Sequence, residues 1–120
     1  ETGASQAARD PWRLARRDLG DELLASLLGV STSSVRRYAT GVRMPKLVAA
    51  RAHYLAQVVH DLSGTYNKYG IKRWFQRPRT QLNSSSPLER LQEDPGWTPD
   101  SEAAREVARL ARASGAMQAT

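Results

Sequence analysis

The chain has no cysteine, one phenylalanine and two methionines in 120 residues. Without thiols there is no disulfide, no thiolate nucleophile and no sulfur ligand for zinc, and a cytoplasmic location is the expectation. No apolar run approaches the roughly 20 residues that cross a bilayer, so no membrane association is expected. Acidic side chains are scarce in one region above all. Residues 36–79 hold ten Lys/Arg against Asp61 alone (+9), while residues 1–35 and 80–120 carry −1 and −2. A block of that sign calls for a polyanion or an acidic protein surface as partner. Also missing are a glycine-rich loop ahead of a helix and a Gly-x-Ser-x-Gly elbow. His53 and His60 stand seven apart with only Asp61 near them, too few ligands for a metal, and serines 84–86 have no histidine partner. An enzyme is therefore not expected, and neither a metal nor a cofactor is implied.

At the leading edge of the basic block, residues 24–45 read LASLLGVSTSSVRRYATGVRMP. Ala25 sits mid-way along a helix expected over 21–28, and Gly29 falls where a positive φ can end it. Val30 and Val35 anchor the two ends of the turn, and Leu24, Leu28, Val35 and Tyr38 share one inward face. Ser31 is placed to cap a second helix, expected over 32–40, because its hydroxyl can accept an otherwise unpaired backbone N–H. Gly41 and Pro45 close the element. This is the spacing of a helix-turn-helix. Ser31, Thr32, Ser33, Arg36, Arg37 and Thr40 are the side chains such a second helix would offer to a major groove, with Arg43 within reach of a phosphate. The plainer account of the same letters is a small helical turn with two solvated arginines.

Elsewhere the apolar residues recur at three- and four-residue steps and never alternate, so the fold is expected to be all-α with six or seven helices. The chain opens Glu1-Thr2-Gly3, which reads as a processing or cloning remnant, with residues 1–9 disordered. Asp10 and Pro11 read as the cap and first position of a helix that packs Trp12, Leu14 and Ala15 inward and closes at Leu19-Gly20. A long helix over 46–62 carries Leu47, Tyr54, Leu55, Val58, Val59 and Leu62 and forms a spine, with Tyr66 continuing its stripe. Residues 10–62 thus form the front module and 63–120 a second helical module. In the latter, Gly70 punctuates the chain, 71–75 is a short apolar helix stopped at Pro78, and 81–85 is a loop. Ser86-Pro87-Leu88-Glu89 is a capping box opening a helix to Gln92. Asp94-Pro95-Gly96 is a turn, and Thr98-Pro99-Asp100 opens a last helix with Ala103, Val107, Leu110 and Ala111 on its apolar side. Glu102 and Glu106 are expected to face Arg105 and Arg109.

One feature of the second module stands apart: Trp74 and Phe75 lie between Lys72, Arg73, Arg77 and Arg79, with Pro78 behind them. Trp74 is either core, with the arginines solvated, or part of a contact patch, since Trp and Arg concentrate at the centres of protein interfaces.

With the helix-turn-helix in front, Phe75, Pro78, Leu82, Pro87 and Leu91 meet the pattern aromatic-x-x-Pro-x-x-x-Leu-x-Gly-x-x-Pro-x-x-x-Leu, with Ser84 in place of its glycine. Over nearly its whole length the chain thereby resembles the Xre/MbcA/ParS-type antitoxins of bacterial toxin–antitoxin pairs, and RWFQRPRTQL looks most like members that accompany RES-domain toxins. The resemblance implies an Xre-like helix-turn-helix followed by a toxin-binding module. It implies a non-enzymatic neutraliser of an NAD-consuming RES-domain toxin, which dimerises through its front end and, with the toxin, represses its own promoter at operator DNA. The toxin-facing surface would be drawn from Trp74, Arg77, Arg79, Leu88 and Leu91, with Arg109, Arg112 and the tail from Ser114 nearest the toxin's NAD pocket. Two alternatives stay open: a stand-alone Xre-like repressor without a toxin, and an antitoxin whose helix-turn-helix only dimerises.

Overall fold

Apolar residues on more than one side of a helix require covering from more than one direction, and helix α3 (Lys46–Ser63) is covered in that way. Val48, Ala52, Tyr54, Leu55, Ala56, Val58, Val59 and Leu62 are buried, with α1 (Thr2–Leu28) and α6 (Glu102–Ala119) packed against them. Helices α2 (Thr32–Ala39), α4 (Lys68–Gln76) and α5 (Pro87–Gln92), with a 3-10 turn at Thr80–Leu82, complete an all-α fold with six helices among the described residues. The computed structural model describes the backbone of residues 2–119 and the side chains of residues 12–115.

The spine behaves as its spacing predicts, with one correction at each end. Leu47 is 41% exposed; it lies in the first turn, off the face set by Val48, Ala52, Leu55 and Val59. The helix stops at Ser63, so half-buried Tyr66 packs against the same core from outside it, and the N–H groups of Thr65 and Tyr66 both turn back to the Leu62 carbonyl, at 3.0 and 2.9 Å.

Helix α1 departs further from expectation. It begins at Thr2 rather than at Asp10-Pro11; the alanine-rich run ahead of Asp10 favours helix strongly enough to extend it upstream. Of residues 2–11, expected in part as a disordered start, only this helical backbone is described. Gly20 ends the first helical stretch, as expected. Its φ of 79° and ψ of 163° lie outside helical space, and the helix resumes at Asp21 in a new direction. Leu19 precedes the break and Leu23, Leu24, Leu27 and Leu28 follow it, all buried.

Helix α1 ends as its glycine suggests. Gly29 has φ 79°, and the N–H groups of Gly29 and Val30 both donate to the Ala25 carbonyl, at 2.8 and 3.0 Å, a left-handed helix end. A Cβ at position 29 would stand 3.1 Å from Nη1 of Arg51. Arg51 is only 5% exposed. Its guanidinium donates to three backbone carbonyls: Leu28 from Nη1 at 2.8 Å, Trp97 from Nε at 2.9 Å and Pro95 from Nη2 at 2.9 Å. It also lies 4.7 Å from the centre of the Trp97 ring. Burial pushes its pKa below the ordinary arginine value, with the charge of Asp94 opposing.

The second half of the chain follows its caps. Ser86 and Glu89 form the expected capping box, with reciprocal bonds of 3.1 and 2.9 Å. Gly70 does not punctuate; it lies in the first turn of α4, where its N–H donates to the Asn67 side chain at 2.9 Å, so Asn67 sets the start. Helix α6 opens at Glu102 because Thr98-Pro99-Asp100 is spent in a turn closed by Ser101, whose Oγ accepts the Thr98 N–H at 2.9 Å. Its buried face is Ala103, Ala104, Val107 and Ala111, with Leu110 half-buried. Glu106 pairs with Arg90 of α5 at 2.9 Å, not with Arg109, since a partner on a neighbouring helix is held by packing while the i,i+3 arginine is free in solvent.

Replacing Arg51 with methionine keeps most of the volume and takes the donor from two buried carbonyls, Leu28 and Trp97, and from the part-buried Pro95 carbonyl. Denaturant unfolding is expected to show a loss of about 3 kcal/mol. Arg51→Lys should recover only part of it, because one ammonium cannot span three acceptors divided between the end of α1 and the 95–97 turn.

Candidate functional site

Ser31 is the N-cap of α2, with extended φ and ψ of −80° and 159° and a side chain that accepts the Ser34 N–H at 3.1 Å. The helix runs to Ala39, one residue short of the expected end, because the Thr40 N–H and hydroxyl both fold back onto the Arg37 carbonyl, at 3.1 and 2.8 Å. Val35 is wholly buried, and half-buried Tyr38 meets Trp12 edge-on at 6.1 Å. Ser31, Ser33, Arg36, Arg37, Thr40 and Arg43 are exposed. Thr32, expected outward, is half-buried, since it sits in the first turn beside the packed Val35 face.

The two arginines of α2 are held differently. Arg37 donates from Nη2 to Ser34 Oγ at 3.0 Å, a tether within its own helix. Arg36 acts electrostatically on Asp21, whose carboxylate takes a forked pair of bonds from Arg16 at 2.7 and 3.2 Å. The hydrogen bond from Arg16 is the main reason the Asp21 pKa lies below its ordinary value; partial burial opposes it, and the charges of Arg16 and Arg36 add to it.

The second set of candidate residues is divided between core and surface. Trp74 and Leu91 are 2% and 0% exposed, which corrects their expected place on a contact surface. Trp74 Nε1 donates to Ser114 Oγ at 3.3 Å, Phe75 stands edge-on to its ring at 5.2 Å, and the Arg79 guanidinium lies 4.8 Å from the ring centre. Arg79 is half-buried. Burial pushes its pKa down, and its Nε has no acceptor among the described residues. Leu88 is half-buried against the core, whereas Arg77, Arg109 and Arg112 are exposed. The structure thus joins Trp74, Arg79 and Ser114 in one contact; among the described residues no hydrogen bond or ion pair links them to Arg109 or Arg112. The tail side chains beyond Gly115 lie outside the described residues.

Between Trp74 and Leu91 the chain forms a tight loop. The N–H groups of Leu82 and Ser84 donate to the Arg79 carbonyl, and the Arg79 N–H donates to Ser85 O at 3.0 Å. Asn83 and Ser84 both take positive φ, 61° and 71°. Ser84 therefore adopts the conformation that a glycine takes without strain.

Three arginines on α1 were not read as functional from the sequence. Arg13, Arg16 and Arg17 line a cleft of about 580 Å³ between the first half of α1 and the C-terminal end of α2. Their spacing, three and four apart, is a helical-face signal available in the sequence. Ser34, which holds Arg37, stands at the same i−3 spacing. Among the described residues no group of three or more His, Cys, Asp or Glu is placed to bind a metal, and no helix is long and apolar enough to cross a membrane. No family model, no curated protein and no solved structure matches the chain, so its functional reading rests on its own residues.

Asp21, with its pKa lowered in the folded chain, contributes stability that is complete above the ordinary carboxylate value and lost as pH falls through the lower folded value. Melting temperature followed from neutral pH to below pH 3.8 should therefore fall less steeply in Asp21→Asn than in the parent chain. In the 79–85 loop, Ser84→Gly is expected to raise unfolding stability by about 0.5–1 kcal/mol by relieving the left-handed strain.

Proposed function

We propose that this chain is a non-enzymatic, cytoplasmic antitoxin that reads operator DNA through a helix-turn-helix formed by the second half of α1 and by α2, and that neutralises an NAD-consuming RES-domain toxin through residues after Gly70. The observation that carries the DNA reading is α2 itself. It is a short helix capped at Ser31, pinned by one fully buried residue, Val35, with Ser33, Arg36, Arg37 and Thr40 exposed. A helix held by one apolar face, with an adjoining basic face, can enter a major groove. A forked arginine bond to guanine discriminates by about 1–3 kcal/mol, while a phosphate contact weakens every sequence alike. In a dimer on one duplex face the two α2 helices would sit about 34 Å apart.

Support for the antitoxin role is less direct. Of the residues that carry the resemblance, Phe75, Leu82, Pro87 and Leu91 are buried and Pro78 is exposed, and Ser84 takes the positive φ suited to the glycine of that pattern. With Trp74 and Leu91 enclosed, the surface left for an enzyme is Arg77, the open edges of Arg79 and Leu88, and Arg109 and Arg112. That same enclosure favours a second reading, a stand-alone repressor whose rear helices only complete the core.

Two measurements separate these readings. Arg36→Ala with Arg37→Ala should abolish preference for operator over scrambled duplex in an anisotropy titration; unchanged preference removes α2 from the interface. In cells expressing a RES-domain toxin, the full chain should restore growth and NAD levels. Arg77→Glu with Arg109→Glu and Arg112→Glu should lose that rescue while keeping operator binding. A parent chain that binds operator and never rescues leaves the repressor reading.

A further inference from the structure

The geometry points to a second phosphate-binding surface: the cleft between the first half of α1 and the end of α2 grips the sugar-phosphate backbone of the duplex that α2 reads. This rests on the DNA-binding reading of α2. The break at Gly20 creates the cleft, because it sends the two halves of α1 in different directions and brings residues 12–17 alongside Tyr38, Thr40 and Gly41.

Its charge is one-sided. Arg13, Arg16 and Arg17 occupy one wall against a single carboxylate in the lining, Asp21. Arg13 and Arg17 are exposed, and Arg13 makes no ion pair among the described residues. Arg17 forks onto the buried Asp18 from Nε and Nη2, at 3.0 and 3.5 Å, yet keeps 69% of its side chain in solvent, and its Nη1 has no acceptor among the described residues. Arg16 is held by Asp21 in a fixed fork. The wall also contains Trp12, whose indole N–H is buried without an acceptor among the described residues.

Two features favour a phosphodiester over an acidic peptide. Planar guanidinium forks match the tetrahedral oxygens of phosphate. The cleft is also continuous with α2, since Tyr38 and Ala39 of that helix and Thr40 and Gly41 just after it form part of its lining. A strand flanking the groove entered by α2 would pass over Arg13 and Arg17. These contacts carry no sequence information. They set the register in which Arg36 and Arg37 meet the bases.

The test is anisotropy titration of the full chain with operator and scrambled duplexes from about 50 to about 200 mM salt. Arg13→Ala with Arg17→Ala should weaken both duplexes alike, by about tenfold at the lower salt, and reduce the slope of log affinity against log salt by about 1–2. Arg73→Ala with Arg105→Ala removes the same net charge from exposed positions elsewhere and should leave the slope in place. A parent chain that binds duplex with a slope unmoved by the Arg13 and Arg17 changes overturns the cleft and leaves the reading of α2 standing. A parent chain that retains no duplex overturns both. A polyglutamate peptide bound through Arg13 and Arg17, with the duplex slope unchanged, gives the cleft to an acidic protein segment and likewise overturns it.

Discussion

The buried guanidinium of Arg51 is the constraint on which the other elements depend. It stands on the spine helix and binds the last carbonyl of α1 and two carbonyls of the turn leading to α6, three segments far apart in sequence. Inside a protein such bonds are strong, and an unpaired member is costly. The bond to Leu28 fixes where α1 stops, and Gly29 leaves room for it. Because α2 starts only four residues later, at Thr32, the direction in which Arg36 and Arg37 leave the surface is set from the core. The same guanidinium against Trp97 places the turn from which α6 departs, so both ends of the molecule share one internal reference.

The basic residues divide into those that hold the fold and those exposed to solvent. Arg51 and Arg79 lie against tryptophan rings and have their charge disfavoured by burial. Arg16 and Arg90 are bound to carboxylates. Arg13, Arg36, Arg43, Arg77, Arg109 and Arg112 are exposed. Formal charge therefore overstates what a polyanion meets, and the location of the exposed set matters more than the total. Around α2 that set is dense, and Asp21 is its one carboxylate counterweight in the cleft, pre-ordering Arg16 while tempering the field near Arg36.

The Trp74 region illustrates the reverse. A tryptophan flanked by arginines resembles an interface patch, yet here the ring is enclosed by Phe75, Arg79 and Ser114, and its N–H is satisfied within the chain. The arginine that stacks on it becomes part of the core's cover. The loop that follows is closed by backbone bonds to Arg79 and Ser85 and holds two non-glycine residues at positive φ, strain carried by the packing of Leu82 and Leu91 beneath it.

What could be read from the chain alone was local. The stripe from Tyr54 to Leu62, the Ser31 and Ser86 caps, the glycine end at residue 29 and the inward Val35 each depend on residues within a turn or two, where spacing and hydrogen-bonding capacity act directly. Exposure of the α2 arginines followed from the same periodicity. Tertiary packing decided the rest: that Trp74 and Leu91 face inward, that Glu106 chooses Arg90, that Leu47 stays in solvent, that Arg51 is a buried anchor, and that Arg13, Arg16 and Arg17 share a cleft with α2. Those outcomes turn on which distant surfaces meet, and the break at Gly20 and the carbonyls around Arg51 determine that meeting. Linear spacing places a side chain on a face of its helix; only the packed fold supplies what that face touches.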